Sequence, residues 1–213
     1  RIQSLEGGIL AELLVREGQI VEKGQILAQL DPTRGESNVE ETAARYRAAL
    51  AASARLRAEV EGRDAPSYSP ELRGYEQLVN SETALLRSRR RGINETVAGL
   101  NQAVGLVRKE LDITRSLLAS GAASNVELIR LERQRADLEM KIAEARSSYM
   151  VKAREELAKA DAEVKSLQSV VRGRADTLQR ATLQSPVRGI VKALEVTTIG
   201  GVIPPNGSLM TLV

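Results

Sequence analysis

The sequence predicts an α+β fold in which a small β-domain is split by a long antiparallel coiled-coil hairpin of three helices. Three observations predict it. A glycine-punctuated strand pattern occurs twice, once near each end of the chain. About 150 residues between the copies carry helical periodicity. Turn formers interrupt that periodicity at two places and divide it into three stretches.

The first strand pattern runs Gly8-Ile9-Leu10, Val15, Gly18, Val21, Gly24, Ile26-Leu27 and Leu30. The second runs Gly189-Ile190-Val191, Val196, Gly201, Ile203, Gly207, Leu209-Met210 and Val213. Gly18 to Gly24 and Gly201 to Gly207 are equal intervals, while Gly8 to Gly18 is two residues shorter than Gly189 to Gly201. Each copy reads as short β-branched strands with glycines at turns. Gly18, Gly24, Gly189 and Gly207 are expected at turns, some with positive φ. A segment of about thirty residues cannot bury a core alone. The copies are therefore expected to pair, with 1–31 and 183–213 forming one domain and 32–182 the helical insert. Asp31-Pro32 and Ser185-Pro186 mark the borders, because proline disfavours helix at the residue before it.

The first helical stretch covers about residues 33–61. Val39, Tyr46, Ser53 and Val60 recur every seven residues, with Thr42, Ala49 and Leu56 beside them. Residues 62–70, with two prolines, break it. The second stretch covers about 70–119, opened by Ser69 as N-cap and Pro70 at the first helical position. Leu72, Val79, Leu86, Ile93, Leu100, Val107 and Thr114 form one seam, and Val97, Val104, Leu111 and Leu118 the other, a heptad pattern. Residues 120–125 form a turn in which Gly121 suits a helix C-terminus, and Ser124 with Glu127 fits a capping box. The third stretch covers about 125–181, with Ile129, Ala136, Ala143, Met150, Leu157, Val164, Val171 and Leu178 seven apart. Its short link makes it the antiparallel neighbour of the second. At 1.5 Å per residue the three stretches are roughly 45, 75 and 85 Å long. The first two are thus expected to run the same way and overlap alongside the third, with a separate, tilted first helix as the alternative.

Composition excludes several functions. There is no Cys, His, Phe or Trp, and Tyr occurs four times. Without His or Cys no Ser/His/Asp or Cys/His catalytic set can form, and no thiolate or imidazole metal ligand exists. The glycines do not form a phosphate-binding loop, since the helix and Lys it requires do not follow them. Catalytic, cofactor and metal sites are all expected to be absent, and the chain is expected not to be an enzyme. The net charge of +3 is too small for a nucleic-acid footprint. Glu40-Glu41, Glu155-Glu156 and Arg89-Arg90-Arg91 read as solvated helix faces. No apolar run long enough to span a bilayer is present. A start at Arg1 without Met and a finish on a strand pattern at Val213 read as a piece of a longer protein.

The turn between the second and third stretches is the candidate functional site. A bare turn needs only Gly, Ser and Asn, yet Leu117, Leu118, Ala119, Ala122 and Ala123 surround it. Small apolar residues at an exposed tip suit docking onto another helix end.

The split halves resemble a lipoyl or biotinyl-type hammerhead domain. The junctions at Leu30-Asp31-Pro32 and Leu183-Gln184-Ser185-Pro186 lack the acceptor Lys of cofactor carriers. A lipoyl-like domain split by a helical hairpin resembles periplasmic adaptor proteins, also called membrane fusion proteins. The run 121–133, together with Glu6-Gly7-Gly8-Ile9 and Val15-Arg16-Glu17-Gly18, is similar to the HlyD branch that serves type I secretion. That resemblance implies a periplasmic adaptor, anchored in the bacterial inner membrane when full-length. It would bridge an inner-membrane ABC transporter to an outer-membrane TolC-like channel, as a hexamer in the full assembly, for a secreted polypeptide cargo. A multidrug efflux adaptor, a lipoyl or biotinyl carrier domain and a plain coiled-coil scaffold are the alternatives. Family members dock through an Arg-Leu-Ser tip motif. Leu117 and Ser124 match it, Ile113 occupies the Arg position, and Arg115 lies two residues on, about 200° around the helix. Leu117, Ser124, Arg115 and Gly121 are the candidate docking residues.

Overall fold

The structure is a computed structural model that describes residues 1–213. It contains eight strands and three α-helices in the order β1 (Ile2–Ser4), β2 (Gly8–Leu13), β3 (Ile20–Val21), β4 (Ile26–Leu30), α1 (Thr33–Val60), α2 (Glu76–Ala119), α3 (Asn125–Gln179), β5 (Thr182–Gln184), β6 (Gly189–Leu194), β7 (Val202–Ile203) and β8 (Gly207–Leu212). The chain divides into two compact units, Arg1–Tyr46 with Lys165–Val213 and Arg47–Val164.

The first unit holds two four-stranded antiparallel sheets, β1-β8-β6-β3 and β5-β4-β2-β7. Each sheet takes two strands from each end of the chain: β2 pairs with β4 and β6 with β8 within a half, and every other pairing crosses between the halves. Adding four to every strand number converts one sheet order into the other. The sequence repeat is therefore a structural two-fold. Matched hydrogen bonds fix its register: Gly18 N–H donates to Val191 O and Val191 N–H to Gln19 O, while Gly200 N–H donates to Leu10 O and Leu10 N–H to Gly201 O. The core repeats too, with Leu10, Val21, Leu27 and Ala28 buried alongside their counterparts Val191, Ile203, Leu209 and Met210. All of these are aliphatic or thioether side chains.

That register corrects the glycine alignment by one residue. Gly18 and Gly24 have positive φ at turns, as expected, but their counterparts are Gly200 (φ 85°) and Asn206 (φ 61°). Gly189 and Gly207 open strands β6 and β8 instead. They are small for another reason: a Cβ there would lie 2.8 Å from Val213 O and 2.7 Å from Pro204 O.

In the same unit the start of α1 lies against the end of α3. Arg174 donates to Asn38 O at 2.8 Å and also to Thr42 Oγ1. A Cβ on Gly35 would fall 2.9 Å from Leu178 Cδ1, so the missing side chain is what admits the leucine. Asp31 Oδ1 accepts from Thr33 N–H at 2.9 Å and so satisfies one of the free amides at the start of α1. The Thr33 side chain, and then this backbone amide, hold the Asp31 carboxyl below its ordinary pKa by hydrogen bonding.

In the second unit three helices share one layer. Arg55 of α1 bonds Glu82 of α2, Ser53 and Arg57 of α1 reach Asp161 of α3, and Arg89 of α2 bonds Glu156 of α3. Within this unit α1 and α2 run the same way, both antiparallel to α3, and their facing ends overlap. The connection between them contains a 3-10 turn, Pro70–Leu72, capped by Ser69. The Ser69-Pro70 signal thus opens that turn. α2 starts only at Glu76, after Gly74 (φ 86°) redirects the chain. Tyr68 ties the connection to α2 by donating to Val79 O at 3.1 Å.

The heptad seams predicted for α1 and α2 lie on buried faces, with Val39, Val60, Val79, Ile93, Leu100 and Leu118 half-buried and Ala51, Arg55, Ala58 and Glu59 buried beside the α1 seam. Tyr46, Ser53, Thr42, Ala49 and Leu56 are buried on α1, as are Leu86, Val97, Val104, Val107, Leu111 and Thr114 on α2. α3 departs from its predicted seam in its first half, where Ile129, Ala136 and Ala143 are exposed, and keeps it in the second, where Met150, Leu157, Val164, Val171 and Leu178 are half-buried. A second stripe is shielded along the helix as well: Leu131, Ile142, Ala153 and Val164, eleven apart, with Leu138, Tyr149 and Ala160 between. Eleven residues make three turns at 3.67 per turn, close to an undistorted helix, whereas a strict seven-residue stripe drifts about 20° per heptad.

The solvated-face reading holds for Arg91 and Glu155, which are exposed. It fails for Arg89 and Glu156. Glu59 of α1 has a side chain 0% exposed and sits between Arg55 (3.1 Å) and Arg89 (2.9 Å). The Arg89 contact is an ion pair outside hydrogen-bond alignment, so Glu59 Oε1 is charge-compensated without a donor aimed at it. Arg55 continues to Glu82 at 2.6 Å and Arg89 to Glu156 at 2.6 Å. The result is an alternating chain, Glu82–Arg55–Glu59–Arg89–Glu156, crossing three helices.

Tyr149 borders this chain. Burial, and then the Glu59 carboxylate, push its hydroxyl up to about 12 from an ordinary 10. A raised pKa in the folded state contributes stability that is fully present below the unfolded value and is lost as pH climbs through the folded one. Stability should therefore fall between about pH 10 and 12. Ultraviolet titration of tyrosinate should show a component near pH 12 that Tyr149→Phe removes. Its persistence in that variant would refute the assignment.

Candidate docking tip

α2 ends at Ala119 in a glycine cap. Ser120 is the C-cap, Gly121 takes φ 75°, and Gly121 N–H donates to Leu118 O while Ala122 N–H donates to Leu117 O. These two bonds satisfy carbonyls that the helix end would otherwise leave free. Ser120 Oγ adds a third bond to Leu117 O at 2.8 Å. No neighbouring atom crowds a Cβ at Gly121, so only backbone conformation demands glycine there.

α3 begins immediately after. Ser124 Oγ accepts from Val126 N–H at 3.1 Å, an N-cap bond. The predicted capping box is not formed, because Glu127 turns away to pair with Arg130 through two bonds, the longer 3.0 Å. The Arg130 hydrogen bond lowers the Glu127 pKa, whereas a capping-box carboxylate would reach back to the Ser124 amide.

The four candidate residues divide by what holds them. Leu117 is 43% exposed at the mouth of the turn. Ser124 and Gly121 are exposed and serve the two helix ends. Arg115 is engaged elsewhere: its guanidinium lies 3.1 Å from Glu132 of α3 and 3.8 Å from Asp112. It works as a strap across the hairpin. Ile113, at the position where the family motif has Arg, is exposed.

Sequence reasoning missed two further residues. Val126 is 75% exposed and Ile129 58% exposed on the first turns of α3. The seven-residue stripe places Ile129 in the seam. With the eleven-residue repeat it falls outside. Val126 and Ile129 are three apart, as Ile113 and Leu117 are four apart, so each pair shares a helix face. The tip therefore presents large aliphatic side chains to solvent on both of its helices.

The chain matches the family described as RND MFP, barrel-sandwich hybrid domain, over residues 1–212. It belongs to that family of membrane fusion proteins. Two curated relatives match over the whole chain: the type I secretion system membrane fusion protein PrsE of Rhizobium meliloti, 27% identical, and the alkaline protease secretion protein AprE of Pseudomonas aeruginosa, 29% identical. The chain spans 60% of the length of each. Among solved structures, the soluble domain of LipC, a membrane fusion protein of a type I secretion system, superposes with a TM-score of 0.75 at 22% identity, covering 100% of this chain and 98% of that one. The periplasmic adaptor protein EmrA gives 0.53 at 20% identity, covering 100% and 70%. These two likenesses establish the fold, a split β-domain carrying a helical hairpin.

Proposed function

We propose that this chain is the adaptor portion of a type I secretion system. In this reading it bridges an inner-membrane ABC transporter to an outer-membrane TolC-like channel and guides a polypeptide between them. It does so as a homo-oligomer, a hexamer in the full assembly. The full-length protein stands in the periplasm, anchored in the inner membrane. The chain acts as a connector and performs no catalysis. Whole-chain likeness to two relatives named for secretion supports a polypeptide cargo over a drug.

The observation that carries the docking role is the pair of exposed aliphatic faces at a well-capped turn. A hairpin closed only for its own stability has no use for Leu117, Val126 and Ile129 in solvent. Their function is to meet apolar residues at the helix ends of the channel, with Ser124 and Gly121 keeping the turn narrow enough to enter.

Leu117→Ala should leave the thermal midpoint almost unchanged, since exposed substitutions fall within about 0.5 kcal/mol. It should abolish channel capture and secretion. Ser124→Ala should lower stability by about 1 kcal/mol through the lost cap, and impair capture as well. Normal secretion by the Leu117 variant at wild-type protein levels would leave the tip as an ordinary helix connection.

A further inference from the structure

The alternating chain Glu82–Arg55–Glu59–Arg89–Glu156 is an unusual thing to bury. Removing charges from water is costly, and well-packed apolar side chains of the same size are often at least as stable. A reason other than stability is needed, and the neighbouring side chains supply one. Between residues 47 and 60 of α1 the buried positions are Ala49, Ala51, Ser53, Arg55, Leu56, Ala58 and Glu59. Leu56 is the only large aliphatic side chain among them. The nearby buried residues of α3, Ala153 and Ala160, are small as well. A seam of alanine and serine permits close approach but has few knobs to mark an axial position. Sliding α1 by one turn would exchange one small residue for another.

The charges do mark it. Arg55 and Glu59 are four residues apart, one helical turn, and carry opposite signs. Their partners on α2 are opposite in turn: Glu82 holds Arg55 and Arg89 holds Glu59. If α1 slips so that Glu59 takes the place of Arg55, a carboxylate meets Glu82. If it slips the other way, Arg55 meets Arg89. Either step sets like charge against like charge in a poorly solvated layer, a juxtaposition worth several kcal/mol. Buried polar groups that fix helix register at a cost in stability have precedent as a physical device.

We propose that this charge layer is a register key, which holds α1 at one axial position against α2 and α3 and makes the three-helix segment a rigid strut. Glu59 is its centre, shared by two arginines and flanked by Tyr149. Asp161, which holds Ser53 and Arg57, then receives α1 in the one position the key permits.

The chain contains no cysteine, so introduced pairs report position directly. Asp161→Cys is combined in turn with Ala49→Cys, Ser53→Cys or Arg57→Cys; the short Ser53 side chain touches Asp161 directly whereas Arg57 reaches it only through its long guanidinium arm, so with cysteines the Ser53 pair marks the native register and the other two mark a slip of a turn in each direction. Each is tested with a short thiol-to-thiol linker. With the charge layer intact, the Ser53 pair should link in about tenfold or greater excess over the other two. An apolar layer is made by Arg55→Met, Glu59→Leu and Arg89→Met, with Glu82→Gln and Glu156→Gln so that no carboxylate is left unpaired. It should keep its helix content and melting temperature, and its links should spread to the Ala49 and Arg57 pairs.

A second variant reverses the key. Arg55→Glu with Glu59→Arg makes the native position the repulsive one, and linking should move away from the Ser53 pair to one of its neighbours. Two results would overturn the proposal. One is an apolar-layer or reversed variant, still folded, that links through the Ser53 pair alone. The other is unfolding of the apolar-layer variant, which would make the layer a source of stability instead of register.

Discussion

Gly7→Ala should strongly destabilise the β-unit. Gly7 has φ 69° and lies in the turn between β1 and β2. A Cβ there would sit 2.6 Å from Ile203 O, 2.7 Å from Pro205 N and 2.8 Å from Pro204 C. All three are backbone atoms of the opposite half, so no rotamer change relieves the overlap. The left-handed conformation adds about 1–2 kcal/mol and the forced displacement about 1–3 kcal/mol. Together they reach about 3 kcal/mol, a large share of the margin of a small domain. Gly18→Ala is the control, because Gly18 has φ 82° with nothing within 4 Å of a Cβ. It should cost only about 1 kcal/mol. Hydrogen exchange of the strand amides in β1–β8 measures both. Equal protection in the two variants would remove close approach as the reason for Gly7.

The second large effect is Leu111→Ala in the hairpin. Leu111 is 1% exposed and packs with Val107, Leu131, Leu128 and Leu138. Truncation leaves a cavity between α2 and α3 and should cost about 2–5 kcal/mol. The loss should be local at first, because this cluster is the apolar core near the turn, where the Arg115–Glu132 ion pair also spans the two helices. Exchange should therefore quicken in residues 111–131 before it quickens in the three-helix layer. Leu106→Ala removes the same atoms from a residue 62% exposed and should change little. Similar losses of stability from both would mean that the hairpin is not held by this cluster.

Much of this architecture is legible in the sequence, and the exceptions have physical causes. The strand repeat was visible because turn glycines and core aliphatics recur together. Its register was misjudged by one residue because Asn206, one of the few residue types that tolerate a positive φ, stands where the first half uses Gly24. The α2 seam follows seven-residue spacing because it is leucine- and valine-rich and unambiguous. On α3 both spacings pass through apolar residues, and only burial tells them apart. Gly121 announced its cap, since a helix end with φ 75° asks for glycine. Ser124 capped as expected, but nothing in the spacing to Glu127 revealed that Arg130 would take the carboxylate. The charge layer was illegible for a different reason. Arg55, Glu59, Arg89 and Glu156 are indistinguishable by type from the many charged residues that do face water, and only a third helix buries them.

The two-fold interleaving of the sheets sets the order in which this molecule can be made. A chain growing from its first residue produces β1–β4 early, yet β1, β3, β4 and β2 bond respectively to β8, β6, β5 and β7. Those partners, residues 182–212, emerge only after the whole of α1, α2 and α3. β2 and β4 can pair with each other at once, but each keeps an open edge, and β1 and β3 have no partner for all that time, the kind of segment that invites pairing with a neighbour. Their shortness is a protection: β1 has three residues and β3 two, too few to template a stranger. The helices, built from local contacts, can form meanwhile and bring the two ends together, so that the slow non-local step becomes the closing of a gap already shortened.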